Sequence, residues 1–297
     1  MFKKQTQFST GLVPSPVDNR DVLLSSVQPQ IARSPKDCPE PFDLTILNQG
    51  GNPYCVGYAC AALKQYLEAK ERNSIVFDGE WIYKKCKEID GIPNIAGTYF
   101  RAGLKVLQKF GAKPLNGKEE DAEKYKIGSY ALVDDQSFEG LKKSAFVYGA
   151  IISGFIGSNA GWQTAYPRPA RAGETTWGHA TLLKAYLENY LKGQNSWGIW
   201  GENGNFYVPK TYLPFESWVV FTDKPTQEGQ EGWVASEFLR NLGIEKGQLV
   251  KPTTALRLRT EPMGTILLTL TPSTKLEILK VGEKVSGYLW CKVKLIE

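Results

Sequence analysis

The chain of 297 residues contains a single histidine, His179, and only two methionines. Its five cysteines are Cys38, Cys55, Cys60, Cys86 and Cys291, and none belongs to a Cys-x-x-Cys pair. An odd, sparse set in a chain this long is not a disulfide framework. A structural zinc site needs four soft ligands at short spacing, so no metal is expected, and no cofactor motif is present. No run approaches the roughly 18 apolar residues that a membrane-spanning helix needs. The first residues, M-F-K-K-Q-T-Q-F-S-T-G-L-V-P, carry two lysines but no apolar stretch behind them, so no secretory signal is expected. With the sparse cysteines this points to a reducing, cytoplasmic setting. A strong charge excess is also lacking. The formal net charge of +5 argues against a nucleic-acid partner. Most of the excess falls in residues 248–297, with eight Lys or Arg against four Glu. A solvated face explains that as well as an anionic partner surface does.

What is present divides into segments. Residues 1–40 are rich in Pro, Ser and short polar runs and read as an extended arm lying on the main domain. Residues 41–222 carry helical patterns first and strand patterns later. After Cys55, the residues Val56, Ala59, Cys60, Leu63, Tyr66 and Leu67 recur at three- and four-residue steps, with Lys64, Gln65 and Glu68 opposite. The pattern predicts an amphipathic helix starting near Cys55. A second helix is expected over 100–110, stopped by Gly111. From Tyr148 onward, Gly-rich turns separate short apolar runs such as 180–186 and 206–208, which read as strands. Helices first and antiparallel strands later give an α+β domain. Residues 223–247 are acidic and polar and read as a linker, with a helical turn near 236–242. In residues 248–297, Leu256 and Leu258 alternate with Arg257 and Arg259, and Leu276 and Ile278 with Lys275 and Glu277. Leu289, Cys291, Val293 and Leu295 likewise alternate with Trp290, Lys292 and Lys294. Such short alternating strands predict a small all-β barrel.

Because His179 is the only imidazole, any cysteine activated by imidazole must use it. A reactive thiol needs a lowered pKa, and the start of a helix supplies part of that through its free N–H groups and dipole. Cys55 sits at such a start, just after G-G-N-P. Cys60 and Cys86 fall in apolar-patterned segments and read as small buried hydrophobes. Cys38 lies in the arm and carries no motif.

Around the thiol the chain reads Q-G-G-N-P-Y-C-V-G-Y-A. Around the base it reads W-G-H-A, followed sixteen residues later by G-Q-N-S-W-G-I-W-G-E-N-G. These strings, in the order Cys, His, Asn, resemble the papain family of cysteine peptidases, over most of residues 41–222. The resemblance implies a two-lobed domain, helical lobe then antiparallel β lobe. It implies Cys55 as nucleophile, His179 as base and Asn195 as the residue orienting the imidazole, with Trp197 covering that bond. Gln49, six residues before the thiol, would complete the oxyanion hole with the Cys55 N–H. The string G-I-P-N-I-A-G-T-Y-F-R-A-G-L extends the likeness. It makes Gly97 the candidate for pairing with substrate backbone, with Thr98 and Tyr99 beside it. Tyr99, Gly178 and Ala180 are candidates for lining the substrate pocket. L-R-L-R-T-E-P and the ending G-Y-L-W-C-K-V-K-L resemble bacterial SH3-like domains.

The chain departs from the family's pattern at three places. Asn52 stands where a disulfide cysteine is common, Val56 where an aromatic residue usually follows the nucleophile, and Gly178 where Asp or Asn often precedes the histidine. None removes a catalytic group. Residues 1–40 are too short for the family's typical large inhibitory propeptide, yet occupation of the cleft by this arm is a further expectation. The implied activity is endopeptidase hydrolysis of a peptide or protein substrate through an acyl-enzyme. One alternative is a cell-wall amidase or endopeptidase of the NlpC or CHAP type, which also joins Cys–His chemistry to SH3-like domains. Another is a catalytically idle papain-like scaffold used for binding. The SH3-like segment would hold a peptide, a cell-wall fragment or another subunit, and the combination fits a bacterial or phage source.

Overall fold

The computed structural model describes residues 10–27, 34–222, 231–240, 244–253, 256–264, 266–270 and 274–296. Its elements run, in chain order, α1 (Leu24–Val27), α2 (Cys55–Lys70), α3 (Gly79–Ile89) and α4 (Phe100–Lys109), then a 3-10 turn at Glu119–Tyr125. Strand β1 (Ser129–Leu132), helix α5 (Phe138–Tyr148) and strands β2 (Ile151–Ser158), β3 (Thr176–Leu187) and β4 (Tyr190–Gln194) follow. A kinked turn, α6 (Trp200–Asn203), leads to β5 (Asn205–Pro209) and β6 (Glu216–Phe221). The helical first half and antiparallel second half are the α+β arrangement expected. Helices α3 and α5 were not assigned from the sequence pattern.

Helix α2 is the spine. It starts at Cys55, as the pattern predicts, but it is not amphipathic in the way the pattern suggests. Lys64, Gln65 and Glu68, placed on a polar face by periodicity, are buried. A helix packed on all sides has no wet face, so its polar residues must be satisfied inside. Lys64 Nζ donates to Glu68 Oε1 at 3.1 Å, one turn on, and lies 5.9 Å from the Phe77 ring centre. Helices α3 and α4 and strand β3 all pack against α2.

The second lobe is a six-stranded antiparallel sheet in the order β1-β6-β2-β3-β4-β5. Helix α5 covers it, with Ser137 accepting from the Gly140 N–H at 3.0 Å to cap the first turn. Two apolar cores result. One gathers α2, α4 and the inner face of the sheet around Leu63, Phe100 and Leu104. The other lies between α5 and the sheet around Leu141, Phe155 and Trp162.

A third core belongs to the C-terminal β domain, built from β7 (Glu231–Ala235), β8 (Leu239–Arg240), β9 (Leu249–Pro252), β10 (Leu256–Arg259), β11 (Ile266–Leu270), β12 (Lys275–Val285) and β13 (Tyr288–Ile296). Their order is β11-β10-β7-β13-β12-β9-β8. Two of these strands fall inside 223–247, the span read as a linker. β7 pairs with β13 over five positions, from Ala235 opposite Trp290 to Glu231 opposite Lys294, and buries Val234. The acidic composition upstream masked this short apolar run. Within the same span, 223–230 and 241–243 lie outside the described residues. The helical turn expected near 236–242 is a 3-10 turn at Ser236–Phe238. Among the described residues no helix is long and apolar enough to cross a membrane.

The arm does not hang free. Cys38 pairs with Tyr186 through N–H···O bonds of 2.8 and 3.1 Å, Leu24 is buried in the second core, and Leu12 in the first. Residues 1–9 and 28–33 of the arm lie outside the described residues.

Candidate active site

Cys55 starts α2 in one lobe and His179 lies on β3 in the other, and these two elements pack against each other. Cys55 is the first residue of α2, preceded by Tyr54, which offers no side-chain cap to the helix. The free N–H groups of that turn therefore remain available to a negative charge. His179 projects from β3, opposite Phe155 of β2. Its Nε2 lies 2.8 Å from Asn195 Oδ1. An amide oxygen can only accept, so Nε2 carries the proton and Nδ1 is left with the basic lone pair. Nδ1 is buried and has no hydrogen-bond partner among the described residues.

Asn195 is itself positioned. Its Oδ1 also accepts the Ser196 N–H at 2.7 Å, and its own N–H donates to Gly204 O at 2.8 Å. Trp197 stacks on the imidazole, 4.3 Å between ring centres at 24°. The edges of Trp162 and Trp177 close in at 5.7 and 6.0 Å. This apolar box keeps water from competing for the His179–Asn195 bond.

Gln49 is buried, and its backbone N–H donates to Ser196 O at 2.8 Å. Ser196 Oγ donates to Gln49 Oε1 at 2.7 Å, while Gln49 Nε2 donates to Asn52 O at 2.8 Å. The hydroxyl and the carbonyl thus fix which end of the amide is nitrogen.

The cleft is filled by the arm. The Leu12 N–H donates to Gly178 O at 3.1 Å, the Thr98 N–H to Gly11 O at 2.9 Å, and the Val13 N–H to Thr98 O at 2.9 Å. Leu12 and Thr98 form a parallel bridge. Two glycines make room for this strand. Gly97 has φ +94°, and a Cβ there would lie 2.0 Å from Gly11 O. A Cβ on Gly178 would lie 2.2 Å from Leu12 O. The Leu12 side chain sits over Gly154, beside Phe100 and Phe215. Farther along, Glu216 Oε2 accepts the Ser15 N–H at 3.0 Å, and Arg101 Nη1 donates to Pro16 O at 2.6 Å. Arg101 also grips Asp21 with both forks of its guanidinium.

The residues singled out from the sequence therefore surround one groove, with distinct parts. The backbone of Thr98, rather than that of Gly97, pairs with the strand in the cleft. Gly97 contributes by lacking a side chain. Its carbonyl is held by Lys87 Nζ at 3.1 Å, an ammonium that also meets Asp90 Oδ2 at 2.7 Å. Tyr99 turns its hydroxyl to Asp90 O at 2.9 Å. Ala180, next to the histidine, brings its backbone to the Cys55 sulfur. Sequence reasoning missed Lys87, Asp90, Arg101 and Glu216. Arg101 and Glu216 reach arm residues 80 or more positions away, while Lys87 and Asp90 act within the turn that follows α3, and only the apolar pair Leu12-Val13 in a polar arm signalled which segment docks.

Occupation of the cleft sets the electrostatics. Cys55 and His179 are both without solvent exposure. Burial pushes the Cys55 thiol up to about 11, against smaller opposing effects of backbone hydrogen bonding at Ala180, Gly11, Val56 and Cys55 itself. Burial pushes the His179 imidazole down to about 4, with the Asn195 bond acting the other way. The helix start was expected to lower the thiol pKa. With the arm in place, desolvation outweighs that effect, and the pair rests as neutral thiol and neutral imidazole.

The fold is that of papain-like cysteine proteases. Xylellain, a cysteine protease from Xylella fastidiosa, matches 75% of this chain and 100% of its own with TM-score 0.62 and 24% sequence identity. Procathepsin B S9 from Trypanosoma congolense matches 72% of this chain and 87% of its own, with TM-score 0.56 and 12% identity. Digestive procathepsin L 3 of the Tenebrio molitor larval midgut matches 68% and 76%, with TM-score 0.52 and 12% identity. No family model matches the sequence, and the search of curated proteins returned no match.

Proposed function

We propose that this chain is a latent cysteine endopeptidase that cuts peptide bonds with Cys55 and His179. One observation carries the reading. His179 offers a bare Nδ1 at the meeting of the two lobes while Asn195 and Trp197 lock its other face. In the reaction, the Cys55 thiol gives its proton to His179 Nδ1, and the thiolate attacks the substrate carbonyl. Negative charge moves to the carbonyl oxygen, where the Cys55 N–H and the Gln49 side-chain amide receive it. Collapse of the tetrahedral species expels the amine, which takes the proton from His179. Water then gives a proton to His179 and attacks the thioester, freeing the acid and restoring the thiol. The substrate strand uses the lane now held by Gly11, Leu12 and Val13, against Thr98 and Gly178. Gly97, Tyr99 and Ala180 shape that lane.

The arm must leave before substrate enters, and its departure returns water to Cys55 and His179, which lifts the desolvation that opposes charge on each. The C-terminal β domain serves as an SH3-like module that holds a peptide, a cell-wall fragment or another subunit. A reducing compartment and a bacterial or phage source suit five free cysteines and that pairing of domains. The test is peptide-library profiling of wild type against Cys55→Ala, together with labelling by an epoxide that targets cysteine peptidases. Wild type, once freed of its arm, cleaves and is labelled at Cys55, and Cys55→Ala does neither. Labelling at Cys55 without turnover on any peptide would overturn the peptidase reading.

A further inference from the structure

Strand β10 has two faces. Leu256 and Leu258 point into the core of the C-terminal domain. Arg257 and Arg259, two residues apart and so on the opposite face, turn toward the peptidase domain. There both guanidiniums lie over Phe146, 5.2 and 5.9 Å from its ring centre. The two residues are only 6% and 7% exposed. Arg257 donates through Nε to Val147 O and through Nη2 to Ala145 O, the latter at 2.5 Å. Arg259 donates through Nη1 to Gly264 O at 2.7 Å. These bonds leave Arg257 Nη1 and Arg259 Nε and Nη2 unused, and among the described residues no carboxylate pairs with either side chain.

Both arginines line a cavity of about 270 Å³, with Cys38 and Pro39 of the arm and Tyr66 and Lys184 of the peptidase domain. Lys184 is already matched. It donates to Gln194 Oε1 at 2.9 Å and pairs with Glu40. Asp37 and Glu261 also line the cavity, and both are exposed to solvent. The inner wall therefore carries two guanidinium charges that no carboxylate among the described residues pairs with. Their field reaches further: the Lys70 ammonium is pushed down to about 7, first by burial and then by Arg257. Arg259 is pushed down to about 10, again by burial first and Arg257 second. Buried guanidiniums persist when their forks are met by oxyanions, for which their planar geometry is suited. At about 30 Å³ per water, the cavity holds roughly nine waters, enough for one tetrahedral oxyanion and a short substituent.

We propose that this cavity is a binding site for a phosphate group, free or as the head of a small phosphomonoester, held by Arg257 and Arg259. The bound anion joins three parts of the chain: the arm at Cys38, the peptidase domain at Phe146 and the C-terminal sheet at β10. This site stands apart from the Cys55–His179 cleft and does not depend on the peptidase reading.

The test is titration of the full chain with inorganic phosphate and with glycerol 2-phosphate, by calorimetry and by melting temperature, at constant ionic strength. Saturable binding with a rising melting temperature is expected, and the tighter of the two ligands identifies the free or the esterified source. Arg259→Gln is expected to weaken binding at least about tenfold, because its one protein bond is to a loop carbonyl and its remaining N–H groups face the ligand. Arg257→Gln should do the same but also strips two carbonyl bonds at the end of α5, so Arg259→Gln decides. No saturable binding in wild type, equal affinity in Arg259→Gln, or equal stabilisation by chloride would overturn the proposal.

Discussion

Replacing Leu12 by Ala should unlock the cleft. Leu12 is 6% exposed, packed over Gly154 between Phe100 and Phe215, and its backbone makes the central contacts of the docked arm. Truncation to Ala removes three buried carbons, a loss of about 2 to 3 kcal/mol at roughly 0.8 kcal/mol for each. The hydrogen bonds to Gly178 and Thr98 are unaffected, so this loss falls on the docking equilibrium. At about 1.4 kcal/mol per factor of ten, the released fraction rises roughly 30- to 150-fold. The readout is the second-order rate of Cys55 alkylation by iodoacetamide, which follows the released fraction while docking and release are fast. Cys38 is the other thiol within reach of solvent, so the comparison is made in a Cys38→Ser background; Cys60, Cys86 and Cys291 are buried. Leu141→Ala, in the other core, separates arm release from general loosening. It should lower stability and leave the alkylation rate nearly unchanged. A Leu12→Ala rate within about twofold of its parent would refute the idea that the arm gates the thiol, since the burial term alone demands more than tenfold.

Gly178→Ala should also raise the alkylation rate, because its Cβ would lie 2.2 Å from Leu12 O. Peptide hydrolysis should fall rather than rise, since substrate uses the same lane; a gain in turnover would show that substrate runs elsewhere. Docking should depend on pH in two directions. His179, held down to about 4 in the docked state, gains a proton near its ordinary 6.5 once solvated, so docking weakens as pH falls from about 6.5 to 4. Cys55, held up to about 11 when docked, ionises from its ordinary 9.0 once released, so docking weakens again as pH rises from about 9 to 11. Hydrogen exchange at the Leu12, Val13 and Thr98 amides, corrected for intrinsic rates, checks this; flat protection between pH 5 and 7 contradicts it. Lys64→Met should destabilise the chain by roughly 3 kcal/mol, because Glu68 stays buried without its partner ammonium. An unchanged urea midpoint would mean that Asn73, which donates to Glu68 Oε2 at 3.1 Å, suffices.

Residues whose roles follow from near neighbours were legible in the sequence. The helix start at Cys55 follows from the turn before it and the apolar steps after it. Asn195 and Trp197 share one short string, and a sole histidine leaves no choice of imidazole. The order of helices and strands agrees with the reading of the fold. Where a wet face was inferred from periodicity alone, the inference failed. Lys64 and Glu68 have the spacing of a wet face, yet α2 is enclosed by α3, α4 and the sheet, and the pair satisfies itself inside. The alternation in L-R-L-R has the spacing of a core face and a wet face, but docking against Phe146 buries both.

The sequence by itself determined the chemistry available: one thiol at a helix start, one imidazole, an amide sixteen residues beyond it, and a mainly polar arm upstream. It could not determine the state in which that chemistry rests. Whether a thiol is ionised depends on how much water reaches it, and water is excluded here by Gly11 and Leu12, more than 40 positions before Cys55 in the chain. Solvation is a property of three-dimensional enclosure rather than of neighbours in sequence. Only the tertiary structure therefore decided that the pair is neutral, that the groove is full, and that two arginines on a short strand face a cavity with no carboxylate among the described residues paired to them.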